Sequence, residues 1–211
     1  MGAKGSEERL ARIDSILLYK QPTLKVMLDD VHSSQNLSAI LRTCDAVGVQ
    51  HLYYTTEDDH DLRIHKTITQ GAHRWVERIR IDSAEKRRFL QEKQKEGYRV
   101  VVTHLEEGAV SFREVDYMGP TVIVMGNEKE GVSSEILSLA DEMIIIPMQG
   151  MVQSLNVSVA TALVLYEAQH QLEKAGRYDT PQLPKEEREI IKKAWLYRDL
   201  IARRSKGKIP L

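Results

Sequence analysis

The sequence predicts a single α/β domain built on a mostly parallel sheet with helices on both faces. Short apolar runs such as TVIVM (121–125) alternate with segments of helical periodicity, and the 211 residues, 42% of them hydrophobic, are enough for one sizeable core. No internal repeat or low-complexity tract interrupts the pattern. We expect the sheet domain to span residues 23–176, between a helical extension at 1–22 and a basic helical extension at 177–211.

The predicted elements follow from the spacing of apolar residues and from the residues that stop each run. Leu10, Ile13 and Leu17 share one face of the first helix, and Pro22 ends it. Glycine ends three later helices, at Gly48, Gly97 and Gly176. The predicted strands cover residues 23–30, 51–55, 75–81, 98–105, 121–125 and 142–148. The predicted helices cover residues 6–20, 36–48, 63–75, 82–97, 133–140, 155–176 and 185–204.

Composition and charge exclude several classes of protein. The apolar runs are far too short to cross a bilayer, and the opening residues MGAKGSEERLARID lack the apolar region of a secretory signal. A single cysteine, Cys44, excludes an internal disulfide and fits the reducing cytoplasm. We therefore expect a cytoplasmic protein.

The charge balance is neutral overall but uneven along the chain. Thirty basic residues against 31 acidic ones give a net charge of −1, whereas residues 192–208 contain only one acid, Asp199. This end is either a phosphate-binding arm or a solvated helix face with a frayed tail. The basic residues there are Lys192, Lys193, Arg198, Arg203, Arg204, Lys206 and Lys208.

Parallel α/β sheets bind ligands at the carboxyl ends of their strands, and the first unusual loop there reads DDVHSSQNLSAILRT. Asn36 lies where a helix N-cap is expected, and capping is a sufficient reason for an asparagine there. Arg42 lies six residues later, away from the apolar stripe. It could simply pair with Asp45 at i+3.

The second unusual loop reads VMGNEKEGVSSE. Gly126 and Gly131 indicate a turn, and Ser133 can cap the helix that follows. The loop has neither the dinucleotide fingerprint nor the lysine and serine or threonine of a phosphate loop, which weakens the alternative of a nucleotide-binding protein. Glu128 has no evident structural role in such a turn.

The third loop lies between a strand that Pro147 stops and a helix rich in small residues. Ser154 and Asn156 bracket the first turn of that helix, where backbone N–H groups need acceptors. Either residue could cap, but both together with Gln153 exceed what one helix start requires. The small side chains indicate a close approach by another helix, a crossing chain or a ligand.

Together the three loops resemble the ordered motifs of the SpoU/TrmH family, in the SPOUT superfamily of RNA methyltransferases. The resemblance covers most of residues 24–170 and implies a deep trefoil knot near the C-terminal side of the domain. It also implies that S-adenosylmethionine is bound in that knot, chiefly by main-chain groups. The residues at the matching positions are Thr103, Leu105, Gly126, Asn127, Ile146, Met148 and Leu155.

The same resemblance implies a catalytic set and no metal. Arg42 would act on the ribose hydroxyl, although an arginine keeps its proton to a pKa of about 12 or higher. A neighbouring phosphate could remove the hydroxyl proton, or Arg42 could position that phosphate and stabilise the developing alkoxide. The family's functional positions correspond to Asn36, Arg42, Glu128, Ser154 and Asn156.

The nearest subgroup methylates the ribose 2′-oxygen of a tRNA guanosine, at position 18 in the D-loop. The rivals are the same chemistry on ribosomal RNA or another tRNA nucleoside, and an inactive RNA-binding protein with the same fold. The resemblance also implies a homodimer, with residues 156–175 as a contact helix, although an all-round apolar helix in a monomer would look the same. We expect five arginines of the terminal helices to contact tRNA phosphates: Arg9, Arg12, Arg198, Arg203 and Arg204.

Overall fold

A computed structural model describes residues 3–57, 61–105 and 108–204, with side chains described from residue 7 to residue 201. Its centre is a seven-stranded sheet in the order β3-β2-β1-β6-β4-β7-β5, and every strand pairing is parallel. The α/β prediction with a mostly parallel sheet is confirmed. The strands are β1 (Leu24–Leu28), β2 (His51–Tyr54), β3 (Glu77–Arg80), β4 (Arg99–Thr103), β5 (Val110–Ser111), β6 (Thr121–Met125) and β7 (Glu142–Ile145).

Helices cover both faces of this sheet. Leu41 and Leu165, from two of these helices, lie in one core cluster, and Leu90 and Ile136, from two others, lie in a second. No helix in the described part of the chain has the length and apolar content to span a membrane. The helices are α1 (Ala3–Leu18), α2 (Ser34–Ala46), α3 (Lys66–Thr69), α4 (Lys86–Lys95), α5 (Ser134–Leu137), α6 (Val157–Lys174) and α7 (Lys185–Arg204).

The prediction of one helix over residues 63–75 is wrong. Only α3 is α-helical there, and a 3-10 turn follows at Ala72–Arg74. The break falls at Gln70 and Gly71, whose φ angles of 49° and 100° are left-handed. The short strand β5 was not predicted, since two residues carry no period that a sequence pattern could reveal.

The two terminal helices pack together beside the start of β2 and β3. Ile13 and Leu17 of α1 share a buried cluster with Trp195 of α7, which meets Trp75 edge to face at 5.3 Å between ring centroids. The fully buried Lys20 donates to the carbonyl oxygen of Val49 at 3.4 Å and lies 5.2 Å from the Trp195 ring. These contacts attach both ends of the described chain to the sheet domain.

The strand order brings the three unusual loops to one edge of the sheet. They follow β1, β6 and β7, and β1 pairs with β6 while β4 lies between β6 and β7. Because all of these strands are parallel, their carboxyl ends meet at the same edge. The β4 terminus, with Thr103, lies among them.

Candidate active site

A cavity of about 610 Å³ opens between the second loop, the third loop and the end of β4, and Asn36 of the first loop does not line it. Segments after β4, β6 and β7 form its wall, together with the first turn of α6. All seven residues that the resemblance assigns to cofactor binding line it, and so do Glu128, Ser154 and Asn156. The wall also includes His104, Lys129, Glu130, Ile144 and Ala160, which were not predicted as site residues. Lys129 and Glu130 lie in the second loop and Ala160 in the helix after the third, but those patterns do not show which of their side chains face a ligand.

Asn36 does not cap α2, contrary to the prediction. Ser33 is the N-cap, and its Oγ accepts a hydrogen bond from the backbone N–H of Asn36 at 3.2 Å. Asn36 is instead the third residue of the helix. Its side-chain amide is therefore available to groups outside the helix.

That amide joins the three motifs in one chain of hydrogen bonds. Nδ2 of Asn36 donates to Oε1 of Glu128, and Nδ2 of Asn156 donates to Oδ1 of Asn36 at 3.2 Å. Oδ1 of Asn156 in turn accepts the backbone N–H of Ser158 at 2.8 Å, so Asn156 caps α6, one of the two caps that the sequence allowed. The side-chain amide of Asn36 thus donates to Glu128 and accepts from Asn156.

The turn that carries Glu128 is closed on itself. Asn127 and Gly131 exchange backbone hydrogen bonds of 3.0 and 3.2 Å, and Oδ1 of Asn127 accepts the N–H groups of Lys129 and Glu130. A Cβ on Gly126 would lie 2.1 Å from the carbonyl carbon of Gly131, so only glycine fits there. The predicted turn is confirmed.

Ser133 begins α5, but its side chain makes no cap hydrogen bond. Oγ is buried and has no hydrogen-bond partner among the described residues, whereas the backbone N–H of Ser133 donates to Oδ2 of Asp29 at 2.7 Å. The prediction of a side-chain cap is therefore wrong.

The structure does not bring Arg42 into the cavity. Six residues after Asn36, at about 100° per residue, the helix carries it to a different side of α2, where it is exposed. Asp45, the alternative partner considered for it, instead lies 3.7 Å from Nζ of Lys20. Arg42 has no hydrogen bond or ion pair within the described part of the chain.

Two of the arginines predicted to contact RNA have acidic partners in the structure. Arg9 forms an ion pair with the buried Asp199, which Arg74 also contacts at 3.1 Å. Arg198 lies 3.3 Å from Glu77. Arg12 is exposed. The backbones of Arg203 and Arg204 belong to α7, but their side chains, and residues Lys206 and Lys208, lie outside the described part.

Within the described ranges, no cluster of three or more histidine, cysteine, aspartate or glutamate side chains could hold a metal ion. The polar side chains at the cavity are instead amides, carboxylates, the two hydroxyls of Thr103 and Ser154, one lysine and one histidine. Such a set can orient a neutral or cationic ligand and a hydroxyl group through hydrogen bonds.

Comparison with known proteins gives matches over most of the chain. The model of the SpoU rRNA Methylase family matches residues 23–166. The tRNA (guanosine(18)-2′-O)-methyltransferase of Aquifex aeolicus is 48% identical over 200 residues, which is 95% of this chain and 94% of that protein. The enzyme of the same name from Thermus thermophilus is 49% identical over 192 residues, 90% of this chain and 97% of that protein.

Solved structures give the same result. The crystal structure of the A. aeolicus TrmH/SpoU tRNA modifying enzyme superimposes with a TM-score of 0.87 at 49% identity, covering 92% of this chain and 97% of that one. The AdoMet-bound rRNA methyltransferase from Sinorhizobium meliloti gives a TM-score of 0.63 at 32% identity, covering 72% and 61%.

Proposed function

The chain belongs to the SpoU rRNA Methylase family, and we propose that it transfers a methyl group from S-adenosylmethionine to the ribose 2′-oxygen of guanosine 18 in tRNA. The single observation that carries the proposal is the cavity at which Glu128, Asn36 and Asn156 form one hydrogen-bonded chain. The choice of tRNA rests on the two relatives above, which match nearly the whole chain.

The cavity fits S-adenosylmethionine in size and in lining. A volume of about 610 Å³ lies in the range typical of small-molecule sites. Leu105, Ile146 and Leu155 offer apolar surface for an adenosine, and the backbone of Gly126 and the residue Asn127 lie in the same wall. When bound, the cofactor supplies a methyl group on a sulfonium sulfur, and we assign its binding to these residues with Thr103 and Met148.

We assign to the hydrogen-bonded chain the task of orientation. Its two amides and one carboxylate are fixed by each other, so they lose little further freedom when a ribose enters. Ser154, which lines the same cavity, offers a hydroxyl to the ribose or to the cofactor carboxylate. Positioning of this kind supplies much of the rate of a transfer reaction that needs two atoms in line.

Arg42 takes the role of phosphate clamp in this proposal. Its guanidinium stays protonated at any physiological pH, and its exposed place on α2, outside the cavity, suits an RNA phosphate better than the hydroxyl itself. A phosphate held there lies close to the ribose of the same nucleotide and can accept the hydroxyl proton. Arg42 then stabilises the charge that develops.

We further propose that residues 146–155 pass through a loop formed by the preceding segment, as the trefoil knot of the family requires. Residues 125–131 line the same cavity as Ile146, Met148 and residues 153–157, and this proximity of the two segments supports the proposed crossing. The division into a sheet domain at 23–176 and helical extensions at 1–22 and 177–211 remains part of the same proposal.

The outer face of α6 supports the proposed homodimer. Val159, Leu163 and Tyr166 are spaced at i, i+4 and i+7, and are 48%, 39% and 53% exposed. A second copy of the chain would cover this stripe. The small side chain of Ala162, three residues after Val159, allows a helix to approach it closely.

We propose that the terminal helices contact the tRNA backbone, in the cytoplasm where tRNA is modified. Arg12 is the most available of the predicted arginines, because Arg9 and Arg198 are engaged by Asp199 and Glu77. Removal of residues 202–211 should weaken tRNA binding and make its affinity less dependent on salt concentration, because a protein that contacts fewer phosphates releases fewer counterions. An unchanged affinity and an unchanged salt dependence would contradict this part of the proposal.

The test of the whole proposal is mass-spectrometric mapping of methylated ribose in unmodified tRNA after incubation with the protein and S-adenosylmethionine. We expect one methyl group, on guanosine 18. The matched control is Arg42→Lys, which keeps the charge but loses the planar fork and should slow the reaction strongly. Methylation of a ribosomal RNA fragment, or of another tRNA nucleoside instead, would favour the rival substrates, and no transfer at all would favour an inactive RNA-binding relative.

A further inference from the structure

A buried lysine lies between two consecutive carboxylates at the end of β1. Nζ of Lys86 donates to Oδ1 of Asp29 at 2.8 Å and to Oδ2 of Asp30 at 2.7 Å. Lys86 is 6% exposed and Asp29 is 1% exposed. Charged side chains are rarely buried to this degree unless they are paired, and none of these three lines the cavity.

Asp29 holds both ends of the segment that carries Glu128. Its backbone N–H donates to the carbonyl oxygen of Met125 at 2.9 Å, and its Oδ2 accepts the N–H of Ser133 at 2.7 Å. Met125 lies immediately before the turn at residues 126–131, and Ser133 lies just after it. The residue directly after β1 therefore fixes where this turn begins and where it ends.

Asp30 fixes the connection that leads from β1 to α2. Its backbone is left-handed, with a φ of 50°, and its N–H donates to Oγ1 of Thr55 at 2.8 Å. Oδ1 of Asp30 accepts the hydroxyl groups of Thr55 at 2.8 Å and Ser83 at 3.0 Å. The start of α2, and with it Asn36, is thereby attached to the ends of β2 and to the residues that precede α4.

We infer that Lys86, Asp29 and Asp30 form a positioning network that sets the distance between α2 and the turn at residues 126–131, and so holds Asn36 against Glu128. Lys86 makes the arrangement possible, because the buried carboxylate of Asp29 and the half-buried carboxylate of Asp30 would otherwise repel each other. A displaced Asp29 would release the Ser133 end of the turn. The three residues act by positioning other groups. The kinetic test of this inference rests on the proposed function, because it measures the rate of methyl transfer.

The test compares Asp29→Asn and Lys86→Met with the control Ser133→Ala. The control removes a hydroxyl that has no partner but keeps the N–H that Asp29 binds. We expect Asp29→Asn to lower kcat on the order of 100-fold, as a misplacement of about 1 Å does, with a smaller change in the KM for tRNA. We expect it also to shift the side-chain amide resonance of Asn36, as Glu128→Gln does, while Ser133→Ala leaves both unchanged.

A double variant distinguishes a positioning role from a general loss of structure. In the double variant of Asp29→Asn and Glu128→Gln, we expect little further loss beyond that of Glu128→Gln alone, since both changes break the same contact. A folded Asp29→Asn variant with unchanged kcat and an unchanged Asn36 resonance, or two losses that multiply, would overturn the inference. If Lys86→Met does not fold, as judged by circular dichroism, Asp29→Asn decides.

The side-chain amide resonance of Asn36 can be measured whether or not the protein is active, so this inference can be tested separately from the proposed function. Wild-type protein that methylates no tRNA would refute the proposed function. The amide resonance in Asp29→Asn would still support or refute the positioning network in that case.

Discussion

Replacement of Gly126 by alanine tests whether the backbone of the turn at residues 126–131 shapes the site. The new Cβ would lie 2.1 Å from the carbonyl carbon of Gly131 and 2.4 Å from the nitrogen of Val132, whereas ordinary contact begins at 3.4 Å. Both neighbours are backbone atoms, so the turn must retreat by about 1.3 Å, the difference between 2.1 and 3.4 Å. Glu128 and the cavity wall move with it.

A displacement of about 1 Å costs on the order of 100-fold in rate, and overpacking costs about 1–3 kcal/mol of stability. The assay is transfer of a labelled methyl group to a tRNA transcript, with thermal unfolding measured in parallel. Gly119→Ala is the control, because a Cβ there meets nothing within 4 Å. A Gly126→Ala enzyme that folds and retains activity within about threefold of wild type would refute the reasoning.

Three further predictions concern separate parts of the molecule. Asn156→Asp keeps the oxygen that caps α6 but loses the Nδ2 donor to Asn36. Its melting temperature should therefore stay near that of the wild type while kcat falls at least about tenfold. Asn156→Ala loses the cap as well, which should lower the free energy of unfolding by about 1 kcal/mol. Trp195→Ala should lower the free energy of unfolding, measured with denaturant, by about 3–5 kcal/mol, because the ring is buried between α1 and Trp75. A decrease of less than about 1 kcal/mol would mean that the terminal helices do not pack as described. Burial alone would raise the pKa of Asp30, but the hydrogen bonds from Lys86 and Thr55 outweigh it and lower the pKa. The stability that Asp30 contributes is therefore present above its unfolded-state pKa and lost as pH falls below about 4. Asp30→Asn should be less stable than wild type at pH 7, and the gap should narrow in acid; a gap that stays constant down to about pH 3 would contradict this assignment.

The sequence was sufficient to predict the sheet and the loops that form the site. Apolar runs such as those of β1 and β6 are buried along their whole length, and parallel pairing follows from their alternation with helices. Glycine and asparagine at residues 126–131 predict a turn by their own conformational preferences. These features depend on neighbours in sequence, which a pattern can reveal.

The parts that could not be predicted depend on distant residues or on a choice between equivalent neighbours. Ser33 and Asn36 are both good N-cap residues, but Ser33 caps the helix while the Asn36 amide bonds to the distant residues Glu128 and Asn156. Lys86 finds its carboxylates 56 and 57 residues away, so no local period marks it. The side of α2 that carries Arg42 likewise depends on how the helix is rotated against α6, which a motif does not fix.

The hydrogen-bonded chain at the cavity also determines when the site can exist. Asn36 is 92 residues from Glu128 and 120 residues from Asn156 along the chain. When the ribosome has produced β1 and α2, only Asn36 of the three hydrogen-bonded residues has been made. The last contact can form only after the first turn of α6 has been synthesised. We expect nascent chains shorter than about 160 residues to be unable to hold the methyl donor, because contacts of such long sequence separation form only when both partners have emerged. Methylation competence is thus among the last properties that this protein acquires during its synthesis.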